Sequence, residues 1–220
     1  MAQVHDFEQL VRERNSTRKF LDKPVPQSLL DKSLELAQLA PSNSNVQPWH
    51  LILATDARRN RLTQALLDAA SVSDPNIPPL PDTYKHFRSE LGRELYGKTM
   101  GIARDDKAGR AAAVLRNYDF FGAPLVGVVC MHHELGPPDS MSVGMYLQTL
   151  LLALTEHGLG TCVEVSIAGY PEVVRRELEI EDEMLILCGV AIGYADPTFP
   201  ANKLHVHRNA VEKNVVIHRN

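Results

Sequence analysis

The chain is short of several things. It has three cysteines in 220 residues, at positions 130, 162 and 188, with no C-x-x-C among them. An odd, widely spaced set excludes a disulfide framework and a cysteine-built zinc site. Aromatic residues make up 6% and tryptophan occurs once, at Trp49. Basic residues are in slight deficit, 23 Lys and Arg against 27 Asp and Glu, for a net charge of −4. That gives no general surface for nucleic acid. The longest apolar stretch, around Leu147–Leu154, is interrupted by Gln148 and Thr149. It is too short to span a bilayer. His5, Asp6 and Glu8 stand where a secretory signal needs an apolar core. These absences predict a soluble, cytoplasmic protein with neither nucleic acid nor membrane as partner.

Motif absences narrow the chemistry further. There is no G-x-S-x-G elbow and no G-x-x-x-x-G-K-[ST] loop, so nucleophilic hydrolysis and ATP chemistry have no support. His132-His133 and His205-x-His207 lack an acidic or Cys partner at a metal-binding spacing, so no metal is expected. Gly158-Leu159-Gly160-Thr161-Cys162 follows a helical pattern and not a strand. It reads as a helix cap and tight turn, since a dinucleotide loop leaves a strand and enters a helix.

What remains is an ordinary globular chain with 44% apolar residues, enough for a sizeable core. Helical periodicity covers 4–13, 26–39, 57–70, 105–117, 140–157 and 171–178. The 140–157 helix is apolar nearly all round, which places it at the domain centre or in a subunit interface. Strong strands are predicted at 49–55, 123–131 and 183–195; 162–167 reads as either strand or turn. Helices and strands mix without a βαβ rhythm, so the fold class is α+β. The Pro-rich 71–83 run opens an excursion over about 71–104 within one domain spanning 1–220.

Two stretches concentrate polar chemistry. Residues 12–20, RERNSTRKF, crowd Arg12, Arg14, Arg18 and Lys19 around Asn15 and Ser16. Arg favours planar, bidentate contact with phosphate; equally, basic residues suit a helix C-terminus. Residues 40–49, APSNSNVQPW, are dense in hydroxyls and amides. They suit either a polyol chain and a heterocycle edge or a plain Asn/Ser turn.

Taken together, these motifs resemble the nitroreductase family of FMN-dependent oxidoreductases. The resemblance is carried by Arg14-x-Ser16-x-Arg18-x-Phe20, by the run Ala40 to Trp49, by Gly158-Leu159-Gly160-Thr161 and by Arg208 before the apolar end of the chain. It implies a central mixed sheet flanked by helices, with a C-terminal arm packed on a partner subunit. Arg14, Ser16 and Arg208 would hold the FMN phosphate, and Asn15 and Arg18 the ribityl chain and ring edge. Cys162, Val163, Glu164 and Val165 would lie along the ring. Pro41, Ser42, Asn43, Asn45 and Gln47 form the second cofactor set, with Ser42, Asn43 and Asn45 reaching in from the other subunit of a homodimer. Phe87, Tyr96 and Phe121 are candidate pocket-lining residues, or plain packing residues. The implied activity is ping-pong hydride transfer from NADH or NADPH, through FMN, to a nitroaromatic or quinone acceptor. Alternatives within that resemblance are a flavin reductase, a dehalogenase and a non-catalytic flavin-binding protein.

Overall fold

A computed structural model describes residues 6–219. Four strands build one sheet in the order β1-β2-β4-β3. They are β1 (His50–Thr55), β2 (Leu125–His132), β3 (Gly160–Glu164) and β4 (Met184–Gly193). All neighbouring strands run antiparallel. Among the described residues a parallel bridge between Ser16 and Thr161 adds the other direction at the edge of β3. Helical connections separate β1 from β2, β2 from β3 and β3 from β4. Connections of that length allow either strand direction, so apolar patterning alone does not fix it.

The strands read as near-continuous apolar runs because helices cover both sheet faces. Side chains alternate across a strand. Val126, Val128 and Cys130 enter one core with Leu62, Leu66, Phe120, Ile167 and Val174. Leu125, Val129 and Met131 enter the other with Trp49, Tyr146, Leu150 and Leu154. On the first face α3 (Asp56–Val72) packs with α7 (Pro171–Leu178); on the second α2 (Gln27–Ala37) packs with α6 (Pro137–Glu156). The all-round apolar helix is thus a domain-centre helix. Val143, Tyr146, Leu150, Leu151 and Leu154 are buried within its own chain, while Met141 is 66% exposed. Gly158, at φ +73°, ends it in the left-handed conformation that glycine adopts without strain.

A short α1 (Phe7–Glu13) precedes these layers, capped by Asp6. The excursion leaves α3 at Ser73 and holds α4 (Lys85–Gly92) and a π-helical turn (Arg93–Thr99), and α5 (Lys107–Leu115) follows it. Its first end is pinned to the core. The Tyr170 hydroxyl donates to the Ser73 carbonyl at 2.5 Å and the Asn76 amide to Gly169 at 2.9 Å. No helix among the described residues is long and apolar enough to cross a membrane.

Candidate functional site

Immediately after α1 the chain runs extended along the open edge of β3. The Thr17 amide donates to the Thr161 carbonyl at 2.8 Å, beside the Ser16–Thr161 bridge. Gly160 is required here, because a Cβ at that position would collide with the Thr17 side chain. The segment then pairs with the chain leaving β4: Leu21 donates to Tyr194 and Asp196 to Lys19, at 2.8 and 2.9 Å. In extended chain, residues two apart share a side. Arg14, Ser16 and Arg18 therefore share one side of a strip laid against β3.

One buried amide locks this strip. Asn202, 8% exposed, accepts from the Arg18 amide through its side-chain oxygen at 2.6 Å. Its Nδ2 donates to the Lys19 and Asp196 carbonyls at 2.8 and 2.9 Å. Its own carbonyl accepts from Asn15 Nδ2 at 3.2 Å. Arg116, at the end of α5, adds a bond to the Arg18 carbonyl at 2.6 Å. The Lys19 ammonium meets Asp196 at 3.0 Å. Thr198 donors and Lys19 hold that carboxyl low, at about 2. Asn202 carries no sequence signal, since its partners lie far away in the chain.

Cys162 and Glu164 face the same strip. Burial pushes the Cys162 thiol up to about 12, and Glu164 adds to this against Arg18, a Ser16 hydrogen bond and Arg14. Such a thiol is no nucleophile at neutral pH. Glu164 is 3% exposed, and neither carboxyl oxygen has a hydrogen-bond partner. Burial raises its pKa well above the carboxylate range, with Arg18 opposing and Asp119 assisting. A buried carboxyl left unpartnered is costly unless it is neutral or meets a ligand. Its side chain was not singled out from sequence. Val163 and Val165 are exposed.

The second stretch has another character. The turn Asn43–Asn45 follows α2, and Ser44, Asn45 and Gln47 all adopt positive φ, between 47° and 56°. Such strain, about 1–3 kcal/mol per residue, gathers at ligand clamps. The Gln47 amide donates to Ser42 Oγ at 3.0 Å and the Asn43 amide to Ser142 Oγ at 3.2 Å. Trp49 anchors the exit by stacking on Tyr146 at 4.9 Å and donating to Gln38 at 2.7 Å. Pro41, Asn43, Asn45 and Gln47 are exposed. Within one chain this turn does not meet the Arg14–Arg18 strip: it feeds β1, at the far edge of the sheet from β3. Three strand spacings amount to about 14 Å.

The remaining candidates fall elsewhere. Arg208 sits in the exposed C-terminal stretch, donating to the carbonyls of Val206 and His207. Phe87 is exposed on α4, Tyr96 lines a cavity in the excursion, and Phe121 is 6% exposed in the core under Arg116. Among the described residues no three His, Cys, Asp or Glu side chains gather as a metal would need.

The structure thus brings a hydroxyl- and Arg-lined strand edge up to a buried, unpartnered carboxyl on an α+β scaffold. The chain belongs to the Nitroreductase family, whose family model matches residues 11–194. It is 35% identical to a 4-nitrobenzoate reductase of Pseudomonas putida, covering 94% of this chain and 93% of that one. Among solved structures it superposes at TM-score 0.92 and 35% identity on the FMN and NADPH-dependent nitroreductase NfnB of sphigopyxis sp. strain HMH, covering 97% of this chain and 99% of that one. The FMN-dependent NfnB of Mycobacterium smegmatis, solved in complex with NADPH, superposes at TM-score 0.89 and 32% identity, covering 96% and 97%.

Proposed function

We propose that the chain is an FMN-dependent oxidoreductase that takes electrons from NADH or NADPH and reduces nitroaromatic or quinone-type acceptors in a ping-pong cycle. The observation that carries this reading is the alignment of Arg14, Ser16 and Arg18 along the edge of β3, the strand that ends in the unpartnered Glu164 carboxyl. The named activities and cofactors of the similar proteins support it.

The residues present fit FMN. Arg14 has no ion pair among the described residues, which leaves its planar fork for a phosphate. Ser16 adds a hydroxyl, and Arg208 is carried on a stretch that reaches the same phosphate in the assembled protein. Arg18, held through its backbone by Asn202 and Arg116, is the cation that favours added negative charge at the ring edge. Asn15 stands on the same strip. When bound, FMN supplies the electron chemistry, accepting a hydride from nicotinamide and giving it to the acceptor. The chain binds, orients and screens. The Cys162–Val165 edge is a wall, Cys162 is inert, and burial favours the protonated form of Glu164, which can donate a hydrogen bond.

The active unit is a homodimer. The Ser42, Asn43, Asn45 and Gln47 turn completes the neighbouring subunit's site, with Pro41 stiffening its entry. Leu36, Leu39, Val46 and Met141, exposed around that turn, together with Val215, Val216 and Ile217, form apolar surface of the sort partner chains cover. Residues 1–220 act as one cytoplasmic domain, with the excursion as lid. Phe87 and Tyr96 line the substrate pocket that donor and acceptor use in turn, and Phe121 backs the site from the core.

The test is the visible spectrum of the purified protein, then a reductive titration with NADH and NADPH. A panel of nitrobenzoate, quinone and halophenol acceptors follows. Yellow protein that NAD(P)H bleaches and a nitroaromatic re-oxidises is the expected result. Colourless protein that cannot be reconstituted with FMN sinks the reading.

A further inference from the structure

The excursion encloses a concavity that the cofactor site does not use. Its volume is about 730 Å³, of the size that small ligands fill. Five lining side chains are cationic (Lys85, Arg88, Arg93, Arg104 and Arg110) and none is acidic. In a chain of net charge −4, this is a local reversal of sign. Little within the molecule neutralises it. Lys85 meets Asp82 at 2.6 Å, but that carboxylate is 91% exposed. Arg110 spends Nε on the Ala103 carbonyl at 3.2 Å. Arg88, Arg93 and Arg104 have no ion pair among the described residues. Of the neighbouring acids, Asp106 caps α5 through Gly109 at 2.8 Å and Glu94 pairs with Lys98 at 2.6 Å, while Glu90 and Asp105 are exposed and make no ion pair among the described residues.

Like charges gathered around one concavity repel, and a multiply charged anion relieves the repulsion. A single carboxylate would leave most of these guanidiniums unmatched. Phosphate groups match both their number and their fork geometry. The cavity is also joined to the cofactor edge by one helix. Arg110 and Val114 of α5 line it, and Arg116 at the end of that helix bonds the Arg18 carbonyl. Six residues of helix rise about 9 Å, so an elongated ligand can have one end at each place.

We propose that this cavity binds the phosphate groups of the electron donor and that its Arg cluster selects NADPH over NADH by holding the additional 2′-phosphate. The inference rests on the dinucleotide-driven reading above, so its test uses a probe that binds without turnover. Calorimetric titration of the purified protein with 2′,5′-ADP, which carries phosphates and no nicotinamide, is expected to give saturable binding that weakens as salt is raised. 5′-AMP should bind about tenfold more weakly, the lower end of what one charge-assisted contact supplies. Both Arg88 and Arg104 are exposed, so the double variant R88A/R104A is expected to fold. It should weaken 2′,5′-ADP at least about tenfold and lower the ratio of kcat/KM for NADPH over NADH by a similar factor.

Absence of 2′,5′-ADP binding, equal affinity for 5′-AMP, or unchanged affinity in the double variant would overturn the proposal. A rise in KM confined to 4-nitrobenzoate would also overturn it, by assigning the cavity to an acceptor's carboxylate. Failure of the proposed function is read separately, as loss of FMN, because the 2′,5′-ADP titration runs on FMN-free protein equally well.

Discussion

The two halves of the proposed site are built in opposite ways. The Arg14–Arg18 strip is clamped by its own chain: a strand edge on one side, the Asn202 amide on the other, Arg116 behind it. The 42–47 turn has few such bonds, exposes most of its polar side chains and carries three left-handed residues. The strip is preorganised before any ligand arrives, which lowers the ordering cost of binding. The turn is shaped for something outside the chain. Damage to the strip should therefore appear in the stability of the single subunit. Damage to the turn should appear only in assembly and cofactor retention.

The largest effect expected is from Asn202→Leu, which removes three side-chain hydrogen bonds and leaves the Arg18 amide unmatched, while the Lys19 and Asp196 carbonyls each keep a bond from a backbone amide. At about 1 kcal/mol each, the loss is about 3 kcal/mol. For a chain of this size that lowers Tm by roughly 6–12 °C. Differential scanning calorimetry on FMN-free protein measures it, and an unchanged Tm would show that the strip is not clamped by Asn202. Next in size is Arg208→Ala. Losing one charged phosphate contact costs about 1.5–3 kcal/mol, or roughly ten- to a hundredfold in FMN affinity. Equilibrium dialysis that finds wild-type affinity removes Arg208 from the phosphate site. Asn43→Ala is smaller and sharpens the contrast. Its one side-chain bond, from Ser44 at 3.3 Å, is exposed, so Tm should move by no more than about 0.5 kcal/mol equivalent. FMN retention should still fall, because the side chain serves the neighbouring subunit. A stability loss as large as that of Asn202→Leu would erase the distinction between the halves.

The same distinction explains what was legible in the sequence. Strands β2 and β4 were plain because both faces are largely buried, so each stands out as an apolar block; β1 was plain from its apolar run alone, since only Ala54 of it is buried. The Arg14-x-Ser16-x-Arg18 and 40–49 motifs were legible because their chemistry is local. Strand direction was not, since it is decided by helical connections whose length fits either sense. Asn202 was invisible as well. It reaches Arg18 across 184 positions, and nothing in its immediate neighbourhood distinguishes it from an ordinary turn asparagine. The left-handed backbone of Ser44 and Gln47 escaped notice because neither residue favours that conformation. The Arg cluster of the excursion was hidden by its spread over Lys85 to Arg110, where only folding brings the charges round one cavity.

Glu164 tests the strip from within, by an effect that appears only as pH rises. Its carboxyl is buried without a partner, and burial lifts its folded-state pKa well above the ordinary 4.5 while Arg18 opposes the shift. The folded chain therefore holds this proton to a higher pH than the unfolded chain does. Its contribution to stability is full below the unfolded value and is lost as pH rises through the folded one. Glu164→Gln stays neutral throughout while keeping the shape. FMN-free Glu164→Gln should match wild type at about pH 4 and melt higher at about pH 8, by roughly 2–4 °C for each kcal/mol released. Parallel Tm-against-pH curves for the two proteins would show that Glu164 is solvated or partnered in the free chain. FMN binding would then have no buried carboxyl to satisfy, and the strip would lose the feature that sets it apart from an ordinary strand edge.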